Sequence, residues 1–142
     1  MALIYRVMEQ DGEYPMVGDT SNRLGVRAGT DLAVDEHGSV RPGKGGMSVA
    51  PEWKLLPYFL IPKRLRPLVP AARGTNARRC WKMGEGLFEP GDVAEGLTLR
   101  PDRPGHGVVE PRELTSLGAF QAALAATRES WTDGEPQASS EP

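Results

Sequence analysis

The sequence predicts an α+β domain of short strands and frequent turns, with one substantial helix near its C-terminal end. Thirteen prolines and seventeen glycines in 142 residues interrupt the chain too often for a helical bundle. Short runs rich in β-branched, aromatic and apolar residues recur between those interruptions, as strands require. Only residues 114–131 carry helical spacing, with Leu117, Phe120, Leu124 and Trp131 on one face.

The length suits one domain, large enough to bury a core without staples. We place that domain at residues 1–132 and read 133–142, which holds no apolar side chain larger than alanine, as a disordered tail.

Residues 2–8 open the domain as a strand. Leu3, Tyr5 and Val7 alternate with Ile4, Arg6 and Met8, so both faces are largely apolar and the strand is central. Arg6 is the exception. A cation on such a strand is costly unless it is paired or faces a cleft, so it serves either a site or a structural ion pair. Residues 9–14 read as a turn. Asp19, Thr20 and Ser21 could cap a helix, but Gly25 keeps it short. Residues 31–37 read as a strand and polar turn, with His37 exposed.

The stretch Gly43-Lys44-Gly45-Gly46-Met47-Ser48-Val49-Ala50-Pro51 is the most distinctive of the chain. Its glycines permit a tight loop and a close backbone approach. The loop delivers a strand at 47–49 with the Ser48 hydroxyl at its mouth. Lys44 is followed by Gly45, not by Ser or Thr, so this is no P-loop. Pro57 limits the next stretch to a short helical turn, and residues 61–70 read as an irregular segment laid over the core. Strands are expected at 79–83, 97–100 and 107–110, with Leu87 and Phe88 packing inward. Thr115 or Ser116 can cap the helix.

Net charge is −2, yet residues 53–84 hold eight basic residues and no acidic one: Lys54, Lys63, Arg64, Arg66, Arg73, Arg78, Arg79 and Lys82. The rest of the chain therefore carries −10. Such a block invites a phosphate-bearing ligand, a nucleic acid or an acidic protein, or is simply a solvated face. No run is long and apolar enough to span a bilayer, and the first residues lack the pattern of a signal peptide. Cys80 is the lone cysteine, which excludes an internal disulfide and reads as a small buried residue in a reducing cytosol. Two histidines and one cysteine show no metal-ligand spacing. Ser48 lacks the following glycine of a hydrolase elbow.

What remains is a set of strand ends: Arg6, Ser48 and His106. Arginine grips phosphate bidentately, serine can hold a ribose, and histidine can donate to a ribose hydroxyl or move a proton. Together they suit a dinucleotide held without a Gly-x-Gly-x-x-Gly helix terminus.

These residues carry a resemblance. Ile4-Tyr5-Arg6-Val7, then Gly45-Gly46-Met47-Ser48-Val49, then His106 with Pro111 five residues later and a C-terminal helix follow each other as in the ADP-ribosyltransferase-like toxins of bacterial type VI secretion. The chain resembles that family over most of its expected domain. The resemblance implies a split, twisted antiparallel β core with small helices and a long C-terminal helix. It implies an NAD cleft lined by Arg6, Gly45, Gly46, Ser48 and His106, and NAD-dependent mono-ADP-ribosyl transfer or NAD hydrolysis. It further implies action in a recipient's cytoplasm after delivery without a signal peptide, and an acidic immunity protein as partner. The chain departs from the family pattern twice. Met47 stands where the family has threonine, and no glutamate falls in the catalytic frame, Glu110 and Glu113 being nearest.

Two other readings stay open. In one, the chain is a non-enzymatic module whose 53–84 segment docks nucleic acid or an acidic protein. In the other, it is an NAD-using relative that removes an RNA 2′-phosphate and wants more arginines in its site.

Overall fold

The computed structural model describes residues 1–136. Its strands are β1 (Ile4–Asp11), β2 (Tyr14–Pro15), β3 (Ser39–Val40), β4 (Met47–Val49) and β5 (Arg78–Met83). They continue as β6 (Gly91–Ala94), β7 (Leu97–Arg103), β8 (His106–Pro111), β9 (Thr115–Ser116) and β10 (Thr132–Asp133). Helix α1 is Leu117–Ala126, and 3₁₀ turns lie at Trp53–Leu55, Lys63–Leu65 and Arg128–Ser130. The protein is thus α+β, with mostly antiparallel sheets.

Ile4, Val7 and Met8 are all at most 1% exposed, so β1 is buried on both faces as its two-sided apolar pattern requires. It runs antiparallel to β5, with Ile4 opposite Met83 and Glu9 opposite Arg78. The sheet order is β10-β5-β1-β2. A second sheet has the order β4-β8-β7-β6, and β3 pairs separately with β9. The large sheets meet at one point: Tyr5 and Ala50 exchange backbone hydrogen bonds of 2.8 and 3.0 Å. Beyond that bridge β1 and β4 part, and the gap between them is the start of a cleft.

The main core fills the space between the two sheets and α1, with Ile4, Met8, Trp81, Leu99, Phe120 and Trp131 at its centre. A smaller core lies on the far side of β1 and β5. There Val7 and Cys80 are covered by Leu56, Ile61, Leu65 and Val69. Residues 61–70 are the segment laid over the core that the Pro-rich alternation predicts, and the cover also takes in Leu56 and Ala72 on either side, with 3₁₀ turns at Trp53–Leu55 and Lys63–Leu65.

Several expectations are corrected. The helix has ten residues rather than eighteen. Its expected start is extended because Thr115 and Ser116 pair with Val40 and Ser39. Ser116 does cap it, accepting from the Ala119 N–H at 3.0 Å. At the other end the Thr127 hydroxyl turns back onto the Leu124 carbonyl at 2.7 Å and receives the Trp131 indole N–H at 2.9 Å. Trp131 thus reaches the core through a 3₁₀ turn. No helix forms near Asp19. Residues 9–11 extend β1 into a hairpin, and the 31–37 stretch is turn and isolated bridges, the strand coming later at β3. Gly91 and Asp92, which the Glu89-Pro90-Gly91-Asp92 sequence suggests as part of a turn, open β6. Phe88 packs against the core, but Leu87 is 77% exposed.

The tail is also corrected where it is described. Asp133 pairs with Trp81 in the sheet, and the Gly134 N–H donates to the Cys80 carbonyl at 2.8 Å. The Glu135 side chain is 8% exposed and accepts from Arg64 and from the Cys80 N–H. Residues 137–142 of the expected tail lie outside the described residues. Among the described residues no helix is long and apolar enough to cross a membrane.

Candidate functional site

Where β1 and β4 part, a cleft of about 380 Å³ opens. Arg6 of β1, Ser48 of β4 and His106 of β8 all line it, though 42 and 58 residues separate them in order along the chain. Its other wall is apolar: Leu55, Leu56, Pro57, Phe59 and Leu60 from the segment over the second core. Ser21, Arg27, Arg103 and Asp31 complete the polar lining.

Arg6 is 6% exposed and makes no ion pair among the described residues. Its Nη1 donates to the Ser48 carbonyl at 2.8 Å, and Nη2 to the Arg23 and Ser21 carbonyls at 3.0 and 3.3 Å. The Ser48 carbonyl lies just past the Tyr5–Ala50 bridge, and Arg6 supplies the donor there. The Arg6 Nε–H has no hydrogen-bond partner among the described residues. Burial lowers the guanidinium pKa to about 10; the Asp31 charge opposes the shift and Arg27 adds to it. The group is still a cation at neutral pH, clamped by neutral carbonyls at the edge of a cleft. Of the two readings of Arg6, the structural ion pair gives way to a carbonyl clamp, and Arg6 holds the fold and lines the cleft at once.

Ser48 alternates with buried Met47 and Val49, so its side chain stands on the open face of the sheet. Val108, opposite it on β8, shares that face with His106 and Glu110. His106 is fixed by Asp102 across the β7–β8 hairpin, with Nδ1 2.6 Å from the carboxylate. Burial raises the Asp102 pKa, but the hydrogen bond and charge of His106, with Arg103, outweigh it, and the net shift is downward.

Gly45 and Gly46 do not line the cleft; they seat its parts. A Cβ on Gly45, whose φ is +103°, would lie 2.2 Å from the Asp31 carbonyl oxygen, and one on Gly46 would lie 2.3 Å from that of Val109. The Gly46 N–H donates to the Asp31 carbonyl at 3.0 Å. The paired glycines thus let two backbones touch, which sets Asp31 on one side and β4 against β8 on the other.

Asp31 is the carboxylate on the cleft wall. Arg27 engages it through Nη2 at 2.9 Å and through its backbone N–H at 2.6 Å. Glu110 is buried at the far end of β8, where it accepts from the Gly43 N–H at 2.8 Å and from Arg100 at 3.0 Å. Glu113 is exposed in the turn after β8. Neither glutamate lines the cleft.

The basic segment is not a uniform free face. Arg64 binds Glu135 and the Asn76 and Arg78 carbonyls, Arg66 donates to the Ala72 carbonyl, and Arg79 pairs with Asp133 and Glu135. Cys80 is buried; burial and the Glu135 charge push its thiol up to about 12, so it is inert as a nucleophile. His37 is an exposed turn residue, with its side chain 79% exposed. Among the described residues no cluster of His, Cys, Asp and Glu could hold a metal ion.

Sequence reasoning missed Arg27, Asp31, Asp102 and Arg103. The Arg27–Asp31 pair spans a turn that was read as the entry to a strand. The Asp102-Arg103-Pro104-Gly105 turn signature, once taken as a tight hairpin, would have set Asp102 beside His106. The cleft as a whole is a polar strand-end wall carrying three arginines and a histidine–aspartate pair, opposite an apolar wall able to hold a ring. Such a surface can bind a phosphate-bearing ligand with a planar base. Comparison with known proteins returned no matching family model, no matching curated protein and no matching solved structure.

Proposed function

We propose that the protein is an NAD-dependent ADP-ribosyltransferase-like toxin domain that cleaves NAD and transfers or hydrolyses its ADP-ribose. The observation that carries the reading is the meeting of Arg6, Ser48 and His106 at one cleft from three separate strands. Arg6, with Arg27 and Arg103, meets the pyrophosphate; Ser48 meets the nicotinamide ribose; the wall around Pro57 and Phe59 packs against a base. Gly45 and Gly46 serve the site by seating its walls. The toxin acts in a recipient's cytoplasm, and an acidic immunity protein covers the lip of the cleft. That lip exposes Leu55, Tyr58 and Phe59 at 50, 51 and 59%, beside Lys54.

A second reading is favoured by one specific observation. Arg27 and Arg103 add two cations to Arg6, which is what an NAD-using enzyme acting on an RNA 2′-phosphate wants. The non-enzymatic docking module would have to use the remaining cations of the 53–84 segment, because Arg64, Arg66 and Arg79 also make internal contacts.

The test is nicotinamide release from NAD by the purified chain, with and without a 2′-phosphorylated RNA. The Arg27→Ala, Arg103→Ala double variant, altered at partly exposed positions, should fold and raise KM for NAD at least about tenfold, near 1.4 kcal/mol of binding. RNA-dependent release selects the second reading. If NAD neither binds at millimolar concentration nor is consumed, both readings are wrong.

A further inference from the structure

We propose that His106 is the general base of the cleft and that Asp102 positions it, in place of a glutamate. The proposal rests on the NAD reading and names the group that activates the acceptor.

The geometry narrows the choice. Glu110 lies four residues from His106 along β8, a separation of about 13 Å in a strand. It is also tied to the Gly43 N–H and Arg100. Glu113 is exposed beyond the strand. Asp31 is at the cleft, but two-point contact with Arg27 occupies its carboxylate. His106 is differently placed. Its side chain is 22% exposed, at the first position of β8, and its ring lines the cleft with Ser48 and Arg6.

Asp102, 26% exposed, fixes the ring's polarity. A carboxylate can only accept, so at 2.6 Å it takes its proton bond from Nδ1–H of His106. In the neutral ring the lone pair is then on Nε2, which has no hydrogen-bond partner among the described residues. The Asp102 contact therefore leaves an acceptor nitrogen at the cleft and a carboxylate behind it to stabilise the imidazolium. Arg103 is the other charge between Asp102 and His106, and Arg100 and Glu110 lie further along the hairpin; Arg6, Arg27, Asp31 and Arg103 are the charged residues that line the cleft with His106.

The step balances without a further reactant. The bond between ribose C1′ and the nicotinamide nitrogen breaks, and the nitrogen keeps the electron pair, so nicotinamide leaves neutral. The oxygen of a hydroxyl acceptor or a water forms the new bond to C1′. Its proton goes to His106 Nε2 and then to solvent. One NAD⁺ and one hydroxyl compound give the ADP-ribosylated product, nicotinamide and a proton.

The experiment measures nicotinamide release by the full chain at varied NAD. General-base loss is worth about 10²–10⁴ in rate. His106→Ala should therefore lower kcat at least about a hundredfold, with KM for NAD changed less than about threefold, and added imidazole should restore at least about tenfold of the loss. His106→Gln should behave alike without rescue if the alanine variant misfolds. Asp102→Asn should lower kcat about tenfold or more at constant KM, and ¹⁵N NMR should show His106 shifting away from its Nδ1–H tautomer. The proposal is overturned by a folded His106→Ala that keeps kcat within about threefold, by a loss confined to KM, or by an inactive Glu110→Gln with an unchanged melting temperature. A wild-type chain that turns over NAD while these variants do too removes the base alone. A wild-type chain that releases no nicotinamide removes the NAD reading, and the base with it.

Discussion

Ending the chain after Thr132 should destabilise it substantially. The cut removes Asp133 from its register with Trp81 and the Gly134 N–H from the Cys80 carbonyl. It also removes Glu135, whose carboxylate accepts from Arg64 Nη2 at 2.5 Å, from Arg64 Nε at 3.2 Å and from the Cys80 N–H at 3.1 Å. Arg79 stands 3.6 Å from the same carboxylate. The two backbone N–H bonds at Cys80 and Gly134 are worth about 1 kcal/mol each net of solvation. The ion cluster is half wet, since the Arg64 and Arg79 side chains are 32 and 28% exposed, so we credit it with about 1–2 kcal/mol rather than the value of a buried pair. The sum is about 3–4 kcal/mol.

For a chain of this length the unfolding entropy is about 0.3 kcal/mol/K, so each kcal/mol moves the melting temperature by about 3–4 °C. The truncated chain should melt about 10–14 °C lower by calorimetry, with a matching fall in the urea midpoint. Glu135→Gln keeps an acceptor for the Cys80 N–H and removes only the charge, so it should show about a third of that loss. A truncation that shifts melting by less than about 3 °C would refute the assignment of these residues to the fold.

Two further outcomes follow from the site's supports. Gly46→Ala should separate β4 from β8, because its Cβ would meet the Val109 carbonyl oxygen at 2.3 Å; a loss of at least about 2 kcal/mol is expected in urea. Gly43→Ala meets nothing within 4 Å and should show only the left-handed backbone strain of about 1–2 kcal/mol, so equal losses would argue against the close approach. Asp35 is held below the usual carboxylate range chiefly by the Ser39 N–H; burial opposes it, and the His37 N–H adds a smaller lowering. A depressed carboxyl stabilises above its unfolded pKa and loses that contribution as pH falls through its folded value. The melting difference between wild type and Asp35→Asn should accordingly be present at neutral pH and fade in acid; a difference constant down to pH 2 would contradict it.

The parts of this fold legible in the sequence are those set by local patterning. The two-sided apolar alternation of residues 2–8 marks a buried strand, and the irregular covering segment follows from its prolines. The Gly45–Gly46 step announces a close approach, but not what is approached, because the Asp31 carbonyl is distant in sequence. The helix was overextended for a similar reason. Leu114, Thr115 and Ser116 suit a helix start, yet pairing with Ser39 and Val40 decides for strand, and no local signal carries that pairing. Trp131 was placed in the core by helical spacing and reaches it by another route. The tail misled because Glu135 is charged and follows no apolar residue; only the arginines of the basic segment explain its burial. At the site, Arg6, Ser48 and His106 could be singled out because each is chemically out of place on its strand. Arg27 and Asp31 sit in a loop and a turn, and Asp102 at the end of β7 next to its hairpin turn, where polar residues draw no notice. Glu110 misled in the opposite direction, since a glutamate near a histidine on a strand invites a catalytic role that its Gly43 and Arg100 contacts do not support.

Arg6 explains why the cleft lies where it does. Two sheets that share one bridge must diverge on one side of it, and the first carbonyl beyond the bridge loses its strand partner. A neutral donor could satisfy the Ser48 carbonyl, but a guanidinium reaches Ser48, Ser21 and Arg23 together and so ties β4, β1 and the 21–23 loop at one point. The same choice brings a full charge into a place without a bonded carboxylate, and the depressed pKa of about 10 records that cost. Asp31 relieves it only through space, because Arg27 holds that carboxylate. The fold therefore keeps an uncompensated cation at the edge of an opening, with two more arginines at its lip. An anionic group bound there would offset the burial cost of Arg6 as well as form its own contacts. On the NAD reading proposed above, the device that closes the split in the β core also favours a phosphate-bearing ligand at the opening.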